Sequence, residues 1–445
     1  MKTKVIFSFD TEDFTSNESA NAIYTEAEIL REEGVRGCFC LVGLLAQQLE
    51  TWGRTDVLEA LSHHEIDTHS YGHTLHPMIN EYTDLADFEA AKAEVIRQET
   101  QCLDLIRHAT GCEKVFAAVP PGNQKSYAAM YAYAEMGIPI YADTVCDTPQ
   151  CDGVYYCNIY HMDYSVCVDG KDGLYMGDSE KEMRRVIDYL ATLRHAIVYT
   201  HPHNSLFCEP WDVINFDKEN LYPFGEWKAA ERHPEELTEV FYRNMRKFVR
   251  MIQADPRFEI TTYQQIAAEN AAREPRILCR TDLPLIAQQL NAELYPVLKP
   301  NSFCLTDIAR ACKAFLQGKD SYVCGPAQGF LTAPQASIRQ ETFTAEEIKQ
   351  AAAAIPKDDF LPASISVNGK TLGPADWLYA ALEVLNGAKT VTTVPNRPQL
   401  PSLDRLPQAR DLALKGTWRH SDSFEDNYLS DRLRWQSWTM RFQED

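Results

Sequence analysis

No uninterrupted apolar run in this chain is long enough to cross a bilayer as a helix, so a helical membrane protein is excluded. Positive charge is scarce. There are 43 Lys and Arg against 64 Asp and Glu, a formal net charge of −21. That balance argues against nucleic-acid or anionic-membrane partners, which need clustered cations. The 13 cysteines are odd in number, run from Cys38 to Cys324 and include no CxxC pair, so a disulfide scaffold is not expected. Cys38 and Cys40 flank Phe39 on one face of a strand and read as small buried side chains. Glycine-rich phosphate fingerprints, internal repeats and low-complexity tracts are missing, which disfavours nucleotide and solenoid folds. A secretory leader is not expected either, because Lys2-Thr3-Lys4 passes directly into Val5-Ile6-Phe7 and acids arrive by Asp10. The expectation is a cytoplasmic protein without a transmembrane segment.

What is present is a long, ordinary globular chain, with 45% hydrophobic and 24% charged residues in 445 positions. Single cores stop growing near ~250–300 residues, so more than one domain is expected. Through residues 1–272 short apolar runs alternate with amphipathic stretches. The expected strands are Lys4–Phe9, Arg36–Val42, Glu65–His69, Val115–Val119, Ile138–Asp143, Tyr155–Asp163, Ala196–His201 and Phe258–Thr262. The expected helices are Ser19–Glu33, Asp84–His108, Ser126–Glu135, Ser179–Leu193 and Pro234–Gln253. Such βα repeats close into a barrel or open into a doubly wound sheet. The chemically distinctive residues gather at strand C-terminal ends, which favours a barrel. Residues 273–394 read as a mainly helical accessory module, with helices expected at Leu283–Leu298, Leu305–Leu316, Ala345–Ile355 and Ala375–Leu385. Residues 395–445 are a linker with Pro395, Pro398, Pro401 and Pro407, then a tail whose Trp418, Trp435 and Trp438 should pack back on the body.

The strongest chemical signal is His69-Ser70-Tyr71-Gly72-His73, directly after the Glu65–Thr68 strand. Two imidazoles four residues apart, joined by a carboxylate from elsewhere, make a three-ligand metal site with open positions for water. The carboxylate is available at the end of the first strand, where Asp10, Glu12 and Asp13 cluster. Alternation puts Asp10 and Glu12 on one side, and Asp13 reaches the same space once the strand has ended. One acid then binds metal while Asp10 serves as general base. A third cluster, Tyr199-Thr200-His201-Pro202-His203, ends another apolar strand. An imidazole there can protonate a leaving amine, with Asp143 as the acid that orients it. The aromatic stretch Asn204–Trp227, holding Phe207, Trp211, Phe216, Tyr222, Phe224 and Trp227, is either a sugar-stacking lid or a satellite core.

Together these motifs resemble those of the polysaccharide deacetylases, carbohydrate esterase family four. The acidic motif resembles Ser8-Phe9-Asp10-Thr11-Glu12-Asp13, the histidine motif His69-Ser70-Tyr71-Gly72-His73, and the final motif Ile197-Val198-Tyr199-Thr200-His201. The resemblance covers roughly residues 3–270 and implies a distorted (β/α)7-type barrel. It also implies Asp10 as base, His201 as acid, and one divalent ion on His69, His73 and either Glu12 or Asp13. Strand direction favours Glu12. Zinc suits two imidazoles and a carboxylate, with cobalt, nickel or manganese as alternatives. Two departures stand out. Thr11 replaces the second aspartate of many members, and Val119 falls where the family has an arginine, so Lys125 or another cation would have to substitute. The resemblance further suggests the Gly122 N–H as oxyanion donor, since Pro120 and Pro121 have none. Tyr71, His203 and Trp211 are candidate substrate contacts. The expected activity is metal-dependent hydrolysis of an N-acetyl group on an amino sugar or polysaccharide. The alternatives are hydrolysis of a non-sugar amide or cyclic ureide, or a catalytically decayed glycan-binding protein.

Overall fold

A computed structural model describes residues 2–142, 153–169, 173–177, 179–216, 225–402 and 424–443. The chain divides into two units. The first holds Met1–Thr144, His161–Asn270 and Arg410–Asp426, and the second holds Val145–Tyr160, Ala271–Ala409 and Asn427–Asp445.

The first unit is a distorted barrel of parallel strands. Its strands include β1 (Thr3–Thr11), β2 (Cys38–Leu41), β3 (Glu65–Thr68), β4 (Ala117–Ala118) and β5 (Ile140–Ala142). The stretch expected as one strand at Tyr155–Asp163 instead splits into β6 (Val154–Tyr156) and β7 (Ile159–Met162). Cys157 and Asn158 between them both have positive φ, 51° and 66°, the signature of a tight primed turn. Then follow β8 (Tyr164–Cys167), β9 (His195–Thr200) and β10 (Phe258–Ile260). The spatial order is β5-β4-β3-β2-β1-β9-β8. β10 runs parallel to the first half of β1, from Thr3 to Val5, and β2 to its second half, from Ser8 to Thr11.

Alternation along β1 sorts the two faces of the sheet. Phe7 and Phe9 enter the apolar layer under the helices, where Phe9 stacks on Phe39 at 4.3 Å. Ser8 turns to the other face, against Cys40 Sγ at 3.7 Å and the Tyr263 hydroxyl at 3.1 Å. Helices cover the apolar face by the same logic. The helix Glu235–Ala254 buries Phe241, Met245, Phe248, Val249 and Ile252, an i, i+4, i+7, i+8, i+11 stripe. Each such side chain contributes roughly 1.5–3 kcal/mol through burial. Short helices at Gly43–Thr51 and Thr55–Leu61 lack any side-chain cap, which is why no start signal announced them. Among the described residues no helix is long and apolar enough to cross a membrane.

The second unit surrounds a core built on the helices Leu283–Ala292, Leu305–Leu316, Ala345–Ala351 and Pro374–Leu385. Three two-stranded antiparallel pairs join it, Ile277–Cys279 with Ser321–Val323, Thr342–Thr344 with Thr390–Thr392, and Ile365–Val367 with Lys370–Leu372. The tail's Trp438 is buried in this core and donates from Nε1 to the Gln399 carbonyl at 2.8 Å. Pro407 and Trp418 lie outside the described residues.

Candidate active site

At the C-terminal end of β1, Asp10 and Glu12 follow the polar alternation begun by Ser8, and both are buried. Past β3 the chain turns sharply, with Ser70 at φ 69° and His73 at φ 49°, a left-handed geometry that non-glycine residues adopt rarely and mostly at functional turns. The turn brings both imidazoles onto Glu12. Its Oε2 lies 3.2 Å from His69 Nε2 and 2.8 Å from His73 Nε2. His69 Nδ1 donates to the Val119 carbonyl at 2.8 Å, which fixes the ring and leaves Nε2 facing Glu12. Glu12 Oε1 accepts from Trp211 Nε1 at 3.0 Å. Burial opposes charge on Glu12, but the two imidazoles outweigh it and hold the carboxyl well below the usual range. Glu12, His69 and His73 thus form a buried group able to hold a metal ion, and its outer hydrogen bonds are those that orient metal ligands.

Opposite this group stands His201, whose Nε2 is 3.6 Å from Asp10 Oδ2. Its Nδ1 faces Asp169 Oδ2 at 3.0 Å. Asp169 also accepts from Thr200 Oγ1 and Asn204 Nδ2, both at 3.2 Å, and from the His201 backbone N–H. Burial works against a charged imidazole here, yet Asp169 outweighs it and raises His201 well above its ordinary value. Asp10 Oδ1 accepts from the Tyr164 hydroxyl at 2.8 Å. Asp10, Glu12, His69, His73 and His201 share one cavity of about 230 Å³, with Pro120, Gly122, Ala142, Tyr164, Tyr199, Asn204, Pro210 and Asp212 completing its wall. Burial, reinforced by Glu12, pushes the Asp212 carboxyl up to about 6. Gly122 sits at φ 56°, ψ 30°, which suits a residue without Cβ.

Several expected residues lie elsewhere. Asp13 turns from the imidazole pair and accepts from Thr15 N at 2.9 Å, Thr15 Oγ1 at 2.6 Å and the Ser19 hydroxyl. It also faces His203 Nδ1 at 3.0 Å. The cause is the end of β1 at Thr11, after which the chain bends and consecutive acids part. His203 is consumed by Asp13 and by the Glu209 carbonyl at 2.8 Å, so it is not a wall of the cavity. Trp211 is buried against Phe14 and Phe216 and supports Glu12 instead of offering a stacking face. Tyr71 lines a different cavity, beside His76, Tyr82 and Glu99. Lys125 is buried and absent from the wall of the main cavity, where no Lys or Arg is found among the described residues. Asp143, Tyr222 and Phe224 lie outside the described residues. The residues not foreseen are Tyr164, Asp169 and Asp212. β8 is only four residues long, and Asp169 lies just past its end, so the sequence pattern there carries little signal.

No family model matches the chain and no curated protein is similar to it. Solved structures similar to it include a Mycobacterium smegmatis protein assigned as a polysaccharide deacetylase, at 15% identity and TM-score 0.42, covering 61% of this chain and 91% of that one. Puue allantoinase is similar at 12% identity and TM-score 0.41, over 62% and 92% of the two chains. A carbohydrate esterase family four pseudoenzyme from Bacillus anthracis is similar at 14% identity and TM-score 0.34, over 60% and 66%. These likenesses are of fold, and the chemistry below is taken from this chain's own side chains.

Proposed function

We propose that this protein is a metal-dependent hydrolase that cleaves the amide of an N-acetylated amino sugar, free or within a polysaccharide, and releases acetate. The supporting observation is the convergence, in one cavity, of the Glu12–His69–His73 group with Asp10 and His201. A divalent ion on that group, zinc by donor chemistry, with cobalt, nickel or manganese as alternatives, would supply Lewis-acid activation of water and of the amide carbonyl. Asp10, held by the Tyr164 hydroxyl, takes the proton of the attacking water. Tyr164 thereby supplies the support that the resemblance assigns to an arginine. His201, flanked by Asp169 and Asp10, which favour its protonated form, gives its Nε2 proton to the departing nitrogen. The Gly122 N–H is the oxyanion donor in this reading.

The wall carries carboxylates and no described Lys or Arg, so the substrate is neutral or cationic, as an acetamido sugar is and a uronate is not. The barrel is the catalytic domain, residues 273–394 an accessory module, and the scattered thiols suit a reducing cytoplasm. A second reading keeps these residues but takes a cyclic ureide or another non-sugar amide. The buried Asp212 carboxyl favours it, as an acceptor for the N–H groups of such a ring. Incubating metal-loaded protein with acetylated sugars and with small cyclic amides in parallel separates the two. His69→Ala should abolish turnover and the binding of the ion assigned to Glu12, His69 and His73, and unchanged turnover would refute the site.

A further inference from the structure

Behind the Nε2 face of His201 lies a second group of donors, completed by a thiol that hydrolysis does not use. Cys167, at the end of β8, donates from Sγ to Asp169 Oδ1 at 2.8 Å, while the other oxygen of Asp169 faces His201 Nδ1 at 3.0 Å. One donor atom from each of the three residues lies within 4.8 Å of the other two. Asp169 is already held by the Thr200 hydroxyl, the Asn204 amide and the His201 backbone N–H, so the group is ordered before any ligand arrives. Cys167 is exposed, which gives an entry path from solvent. A thiolate, a carboxylate and an imidazole at this spacing form a three-point site for a soft divalent cation, with water completing the sphere.

We propose that Cys167, Asp169 and His201 bind a second zinc-like ion that switches the enzyme off. Binding releases two protons, one from the Cys167 thiol and one from His201 Nδ1, and forms bonds from Sγ and Nδ1 to the ion. His201 then keeps a proton only on Nε2 of a metal-bound neutral ring, a far weaker acid than the imidazolium it replaces. The ion therefore stops proton delivery to the leaving group without touching Glu12, His69 or His73. The inhibitory consequence rests on the role given to His201 above, whereas the binding itself does not.

The test is a metal count on the full-length protein equilibrated with buffered zinc. Wild type should hold two equivalents, and Cys167→Ser and Cys167→Ala one each. His69→Ala/His73→Ala should keep one equivalent that Cys167→Ser then removes, so this site is scored even if the first is wrong. Cobalt supplies a readout on unaltered protein, a sulfur-to-cobalt charge-transfer band that persists in Cys208→Ser and disappears in Cys167→Ser. Where turnover is measurable, zinc beyond the first equivalent should lower it at least tenfold in wild type and leave Cys167→Ser unaffected. A wild-type zinc count equal to that of Cys167→Ser, or a cobalt band indifferent to Cys167, would overturn the proposal.

Discussion

One barrel contains two sets of buried acids whose carboxyls are shifted in opposite directions. At the strand ends Glu12 lies between two imidazoles, which hold its carboxyl well below the usual range despite burial. Lower in the same sheet, Glu65 and Asp67 are equally hidden, beside Cys38 and without an imidazole in the group. Burial raises both of those carboxyls, and Glu65 adds to it at Asp67, which is pushed far above its ordinary value, while the hydrogen bond from Asp67 offsets part of the rise at Glu65. The Cys38 thiol is likewise pushed well up, first by burial and then by Glu65. Burial alone therefore drives an acid toward neutrality, and only nearby positive or positively polarised nitrogen reverses it. The lower group is a structural element, since Asp67 Oδ1 accepts the backbone N–H groups of Phe116 and Ala117 at 2.8 Å each and so fixes the start of β4.

Removing charge from each set should break the molecule in different ways. The largest effect is expected from Asp10→Asn, which leaves the cavity's shape but removes the base, lowering turnover by ~10²–10⁴-fold with folding unchanged. Steady-state rates alongside thermal unfolding check this. Asp169→Asn comes next. Asp169 raises His201, so without its charge the imidazolium loses its proton at lower pH, and the alkaline limb of the kcat profile should move to lower pH. An unmoved limb would remove His201 from its role as acid. The smallest effect on turnover is expected from Asp67→Asn, which should leave rates near wild type. Its mark should be on stability against pH. A carboxyl raised in the fold contributes stability that is complete below its ordinary value of about 3.9 and is lost as pH rises through the folded value. Asparagine cannot ionise, so as pH rises from about 4 the melting temperature of the variant should fall less than that of wild type.

Much of this was legible in the amino-acid order. The strand-end acid Glu12 and the His69–His73 pair come together in the structure, as strand alternation and a four-residue turn constrain where side chains go. The choice of Glu12 over Asp13 followed from strand direction, and the structure adds what holds Asp13 away, the Thr15, Ser19 and His203 contacts. Tyr164 and Asp169 were not legible. Tyr164 begins, and Asp169 follows, a four-residue strand that pairs with β9 through an irregular register between Tyr164 and Val166, which blurs the alternation that would announce it. Trp211 reads from the sequence as a sugar platform or a core residue, and in the structure it is buried with its indole N–H on Glu12.

The most direct measurement is the metal content of Cys167→Ser protein, which lacks the second site, loaded with one molar equivalent of zinc and then desalted, compared with the same protein carrying Glu12→Ala or Asp13→Ala. The parent and the Asp13→Ala protein should each retain the ion and the Glu12→Ala protein should lose it. Retention in Glu12→Ala with loss in Asp13→Ala would contradict the placement of the metal centre on Glu12, His69 and His73.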